Sequence, residues 1–154
     1  MDLSTVLGSG VVAGIFAGLV TLRTTERKIA IENITQQRQL WREKIRLKAL
    51  ETSKAYKDND NSKLKELYGE FQLLLNPKDN DDKSILDTLW KMQNDNKDND
   101  LIVELTEKLA LLLKHDWERV KLEAKPVWNF FGKVERISYD KFKNKRANKT
   151  LDDK

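Results

Sequence analysis

The chain has 154 residues, of which 35% are charged, with a formal net charge of +4, one histidine and no cysteine. That length holds a single domain of modest core. The absent cysteine excludes disulfide scaffolds and thiolate-ligated metal centres, and it agrees with a reducing compartment.

The first predicted element is apolar. Leu3 to Leu22 contains no ionisable side chain, is rich in Val, Leu, Ile and Gly, and is followed at once by Arg23. A helix of that length rises roughly 30 Å, the thickness of a bilayer's hydrocarbon core. A cleaved signal peptide fits less well, because Met1 to Thr5 lacks a basic residue and no small-x-small site precedes Arg23. The sequence therefore predicts a retained transmembrane helix over 1–22. Arg23, Arg27 and Lys28 follow the apolar stretch, and juxtamembrane cations stay on the cytoplasmic side, so the N-terminus is expected outside and the remainder inside. Gly10, Gly14 and Gly18 recur every four residues, a stripe that lets a second membrane helix approach.

From Arg23 to Tyr56 there is neither Gly nor Pro, and Glu, Lys, Arg, Gln, Leu and Ala abound. A stalk helix over 23–57 follows. Ile34, Trp41, Ile45, Ala49, Thr52 and Tyr56 mark its core-facing stripe, widened by Leu40, Leu47 and Leu50. The polar stretch Gln36 to Gln39 cannot be buried unaided, which makes Ile34, Arg38, Trp41 and Arg42 a candidate partner face. A heptad coiled coil is an imperfect alternative there.

Three Asn/Asp-rich breaks, Lys57 to Ser62, Asn76 to Asp82 and Asn94 to Asp100, punctuate the rest. Such residues favour turns and helix N-caps, expected at Asn61 or Ser62, Asp81 or Asp82, and Asn99 or Asp100. None has the glycine and glutamate positions of an EF-hand. Between them, Leu64 to Leu75, Ile85 to Met92 and Leu101 to Ala124 read as amphipathic helices, with Trp90, Trp117 and Val120 counted inward. A last helix is expected from Pro126 to Arg146, where Trp128, Phe130 and Phe131 could face the core or the membrane interface. No segment alternates with period two. The fold class is all-α: a membrane helix continuing into a stalk, a helical bundle over 58–146, and a disordered tail over 147–154.

No catalytic constellation is visible, and no cofactor or metal is expected. His115 beside Asp116 and Glu118 lacks a second ligand set, since neighbours on one helical turn diverge. The basic tail residues Lys141, Lys143, Lys145, Arg146 and Lys149 suit an anionic leaflet better than a specific nucleic-acid site.

The segment Ile31-Glu-Asn-Ile34-Thr35-Gln-Gln-Arg38-Gln-Leu-Trp41-Arg42, set after an apolar stretch, resembles the juxtamembrane region of small single-pass proteins of bacteria and prophages. Such proteins include the superinfection-exclusion class, which protects a host against related phages. The resemblance implies a non-enzymatic protein that binds a partner at the inner membrane face, blocks DNA entry, and takes the bilayer and a membrane protein as partners, with self-association possible. A holin-like or toxin-like effector that oligomerises through the glycine stripe is the alternative.

Overall fold

One helix, α1, runs from Leu3 to Asp58. The computed structural model describes residues 3–94, 98–123 and 134–152, with side chains described except at 3–12, 30 and 149–152. Among the described residues α2 (Asn61–Leu74), α3 (Asn80–Asn94), α4 (Asn99–Glu123) and α5 (Tyr139–Asp152) complete an all-helical fold without strands. The chain forms two units, residues 1–40 and 41–154.

In the first unit the helix is exposed at every described side chain from Ala13 to Gln37, residue 30 aside. Among the described residues no helix is long and apolar enough to cross a membrane. The apolar segment Leu3 to Leu22 forms the beginning of α1.

In the second unit each helix boundary has a local cause. α1 stops where Asn59 takes φ 56°, the left-handed conformation that Asn tolerates. The Asp60 N–H then reaches back to the Ala55 carbonyl at 2.9 Å, closing the C-terminus. The same Asp60 caps α2, its carboxylate accepting from the Lys63 N–H at 2.9 Å. α2 ends before Asn76-Pro77, since a residue preceding proline avoids the helical region. Asp79 accepts from the N–H groups of Asp81 and Asp82, and Asp98 from that of Asp100. The caps thus fall inside the expected breaks but one or more residues ahead of the expected positions.

Burial on α1 corrects the expected stripe. Ile45, Thr52, Ala55 and Tyr56 are buried and Trp41 and Ala49 pack against the core, whereas Ile34, Leu40, Leu47 and Leu50 are exposed. At 100° per residue the three leucines point away from Ile45 and Thr52, so they could not have widened one face. Leu64, Leu67, Phe71 and Leu75, Ile85, Leu89 and Met92, and Leu101, Leu105, Leu109 and Leu112 complete the core. Trp90 and Trp117, expected inward, are 57% and 52% exposed. Ile102 and Leu113 lean on the core from its margin.

Two polar side chains, one buried and one half-buried, pin the helices in register. The Tyr56 hydroxyl accepts from the Asp98 N–H at 2.8 Å, tying the end of α1 to the start of α4. Trp41 Nε1 donates to the Leu74 carbonyl at 2.9 Å, satisfying a carbonyl that the end of α2 leaves without an intrahelical partner.

The last helix differs from expectation. Residues 134–138 are not helical, α5 begins at Tyr139, and it continues to Asp152 through most of the expected disordered tail. Trp128, Phe130 and Phe131 lie outside the described residues.

Candidate functional site

The densest polar chemistry sits where residues 134–146 meet α3 and α4. Arg136 enters the start of α3, its Nη1 donating to Asp82 at 2.7 Å and to Asp79 at 3.0 Å, with Nε 3.5 Å from Asp81. Asp82 also accepts from the Asn76 N–H at 2.8 Å, so one buried carboxylate joins the α2–α3 turn to the C-terminal segment. Asp79 at the cap and Asp81 and Asp82 in the first turn complement the positive helix end, and the guanidinium offsets their mutual repulsion.

One turn along, Lys108 is nine-tenths buried and fully engaged. Its ammonium donates to Glu104 at 2.6 Å, to the Thr88 hydroxyl at 2.8 Å and to the Ser84 carbonyl at 3.0 Å, using all three protons. The Tyr139 ring lies 5.1 Å from the ammonium. Burial opposes the charge on Glu104, but the hydrogen bonds from Lys108 and Thr88 outweigh it and hold the carboxyl below its ordinary range. Glu107 receives the Tyr139 hydroxyl at 3.2 Å and Arg146 at 2.6 Å. Burial first, and then that hydrogen bond, push the Tyr139 phenol up to about 12.

The volume of this cluster limits what it can hold. The crevice between Asp81, Ser84, Lys108, Arg136 and Tyr139 measures about 10 Å³, room for at most a single water. Its acids and bases are paired with each other. It fastens the C-terminal segment and offers no space for a substrate. Among the described residues no group of three His, Cys, Asp or Glu could hold a metal ion. His115 Nε2 lies 3.3 Å from the Val134 carbonyl, a second tie of the same segment.

Since a raised phenol pKa means the neutral form is favoured by the fold, its contribution is complete below pH 10 and disappears as pH rises through about 12. Tyr139→Phe should therefore remove a tyrosine that ionises at about pH 12 from a spectrophotometric alkaline titration. If the variant's tyrosinate curve overlays the parent's at its upper end, the Tyr139–Glu107 contact is wrong.

A second concavity, about 300 Å³ and almost wholly apolar, runs between α1 and α4. Ile45, Ala49, Leu50 and Ser53 form one wall and Thr106, Leu109, Ala110 and Leu113 the other, with Arg46 at the edge.

No family model matches the chain, and no curated protein or solved structure does either.

The residues singled out in the sequence are not brought to one place. Gly14 and Gly18 have open space where a Cβ would stand, and the side-chain surroundings of Gly10 lie outside the described residues. Arg23, Arg27 and Lys28 are exposed, Lys28 standing 4.0 Å from Glu32. Of the candidate partner face, Ile34 is exposed and Arg38 half-buried. Trp41 and Arg42 belong to the second unit's interior contacts: Arg42 Nε lies 3.1 Å from Asp116 and its guanidinium 5.6 Å from the Trp117 ring. Sequence reading passed over Arg136, Lys108 and Glu107. Arg136 and Glu107 have partners far away in sequence and leave no local signature, and of the three partners of Lys108 only Glu104, on its own helix, is legible from spacing.

Proposed function

We propose that the chain is a membrane-anchored, non-enzymatic binding protein whose helical unit works at the inner membrane face. The supporting observation is the segment Leu3 to Leu22, which carries no ionisable group and whose described side chains, Ala13 to Leu22, are all exposed. Ile15, Phe16, Leu19, Val20 and Leu22 are each more than half exposed and point to different sides of the helix. A helix apolar all round needs lipid or protein around it, and no described residue of this chain covers it. The cations Arg23, Arg27 and Lys28 then favour retention of the C-terminal unit in the cytoplasm. The small, self-paired polar cluster favours binding over catalysis.

The juxtamembrane resemblance extends this proposal to phage exclusion by blocking DNA entry, an extension that rests on the resemblance alone. The test of anchoring is fractionation of the intact chain. Sedimentation with membranes through high-salt and alkaline washes is expected, with a reporter at Lys154 active only in the cytoplasm. A freely soluble product, or a reporter active only outside, overturns it. Expression without infection separates binding from lesion formation: the bound-partner reading predicts an intact membrane potential, and collapse that Gly14→Leu abolishes would favour the effector alternative.

A further inference from the structure

We infer that α5 is a hinged arm, which swings off α4 as ionic strength rises and turns about Arg136, while the core of the second unit keeps its packing. The buried apolar residues among those described run from Ile45 to Leu112, and no residue from Val134 to Asn148 is buried. Tyr139 and Phe142 are half-buried, so the described side chains of α5 reach the margin of the unit and add nothing to its core. Departure of the arm therefore exposes little apolar surface. Residues 134–138 are not helical, and they supply the hinge between the Arg136 tie and the start of α5 at Tyr139.

The polar ties that hold the segment differ in their access to salt. The Arg136 side chain is only 11% exposed and rests on the buried Asp82, and screening by salt is weak for a pair so enclosed. α5 itself is held at Glu107, which receives the Tyr139 hydroxyl at 3.2 Å and Arg146 at 2.6 Å. The Arg146 side chain is 69% exposed. An exposed ion pair is weak and readily screened, since the Debye length falls from about 10 Å at 0.1 M salt to about 3 Å at 1 M. The hinge tie thus outlasts the arm tie. Both positions of the arm also leave the groups beneath it satisfied. Without the Tyr139 ring, Lys108 keeps Glu104, the Thr88 hydroxyl and the Ser84 carbonyl as acceptors for its three protons. Asp79 keeps the N–H groups of Asp81 and Asp82, and Asp82 keeps that of Asn76. No ion is buried alone when the arm leaves, and that is the condition for two populated positions.

The inference concerns contacts within the second unit and stands apart from the membrane proposal, so its test uses the intact chain in non-ionic detergent whatever fractionation shows. The chain contains no cysteine, so spin labels go only where cysteines are introduced. Lys65→Cys with Lys143→Cys reports the distance from α2 to the arm, and Lys65→Cys with Lys91→Cys that from α2 to α3. All three lysines are exposed and none belongs to the ties described. In pulsed dipolar spectroscopy at about 0.1 M sodium chloride, each pair should give one narrow distance. At about 1 M, the arm pair should lose about half or more of that narrow population to a broad one, and the α2–α3 pair should not change. Glu107→Ala removes the acceptor at which the arm is held, and it should broaden the arm pair already at the lower salt. A narrow arm distance at high salt, a narrow distance in Glu107→Ala, or broadening of both pairs together overturns the inference.

Discussion

Phe71→Ala should destabilise the second unit by about 3–5 kcal/mol, as expected for truncating a fully buried aromatic. Phe71 is 0% exposed and sits on α2 among Leu67, Leu75 and the inward residues of α3. Its loss removes the apolar transfer energy and leaves a void that the surrounding side chains close only partly. For a protein whose total stability is about 5–15 kcal/mol, that is a large share. Leu73, two positions along the same helix, is 88% exposed and provides the control: Leu73→Ala should change stability by no more than about 0.5 kcal/mol. Urea denaturation of the two intact variants, followed by far-ultraviolet circular dichroism, reads the contrast. Equal midpoints would mean that α2 does not present the face assigned to it.

That contrast also shows what was legible beforehand. On α2 the spacing of Leu64, Leu67, Phe71 and Leu75 pointed to one face, because an isolated amphipathic helix has one apolar side to hide. α1 was harder. It carries two apolar stripes, and Leu40, Leu47 and Leu50 were merged with Ile45 and Thr52 because their summed hydrophobicity conceals their opposite directions. The Asn/Asp breaks announced turns for a local reason, the competition of short polar side chains for backbone donors. Asp60, Asp79 and Asp98 do cap helices. Asp82 sits in the same run and looks the same in sequence, yet its main partner, Arg136, is 54 residues away. Long-range ion pairs have no period and no motif, so the cluster that holds the C-terminal segment could not be read from spacing.

The strain of separating that pair gives the second large effect. Asp82→Ala should cost about 3 kcal/mol, between the roughly 1 kcal/mol of an ordinary hydrogen bond and the roughly 5 kcal/mol of an abandoned buried ion. The carboxylate is 5% exposed and serves two donors, the Asn76 N–H and Arg136 Nη1. Both lose their acceptor, but Asp79 still accepts from Arg136 at 3.0 Å, which keeps the cost below the upper figure. Arg136→Met leaves the Asn76 bond intact and frees three aspartates to repel one another, so the two single variants damage different sides of one contact. Their combination should cost less than their sum, with a coupling of about 1–3 kcal/mol, because the second change removes a partner already lost. Hydrogen exchange gives the spatial readout: either variant should speed exchange in α5 more than in α2, since Arg136 ties down the segment that leads into that helix and Phe71 anchors the other. Strict additivity of the two variants, or unchanged exchange in α5, would show that the C-terminal segment is held by something other than these aspartates.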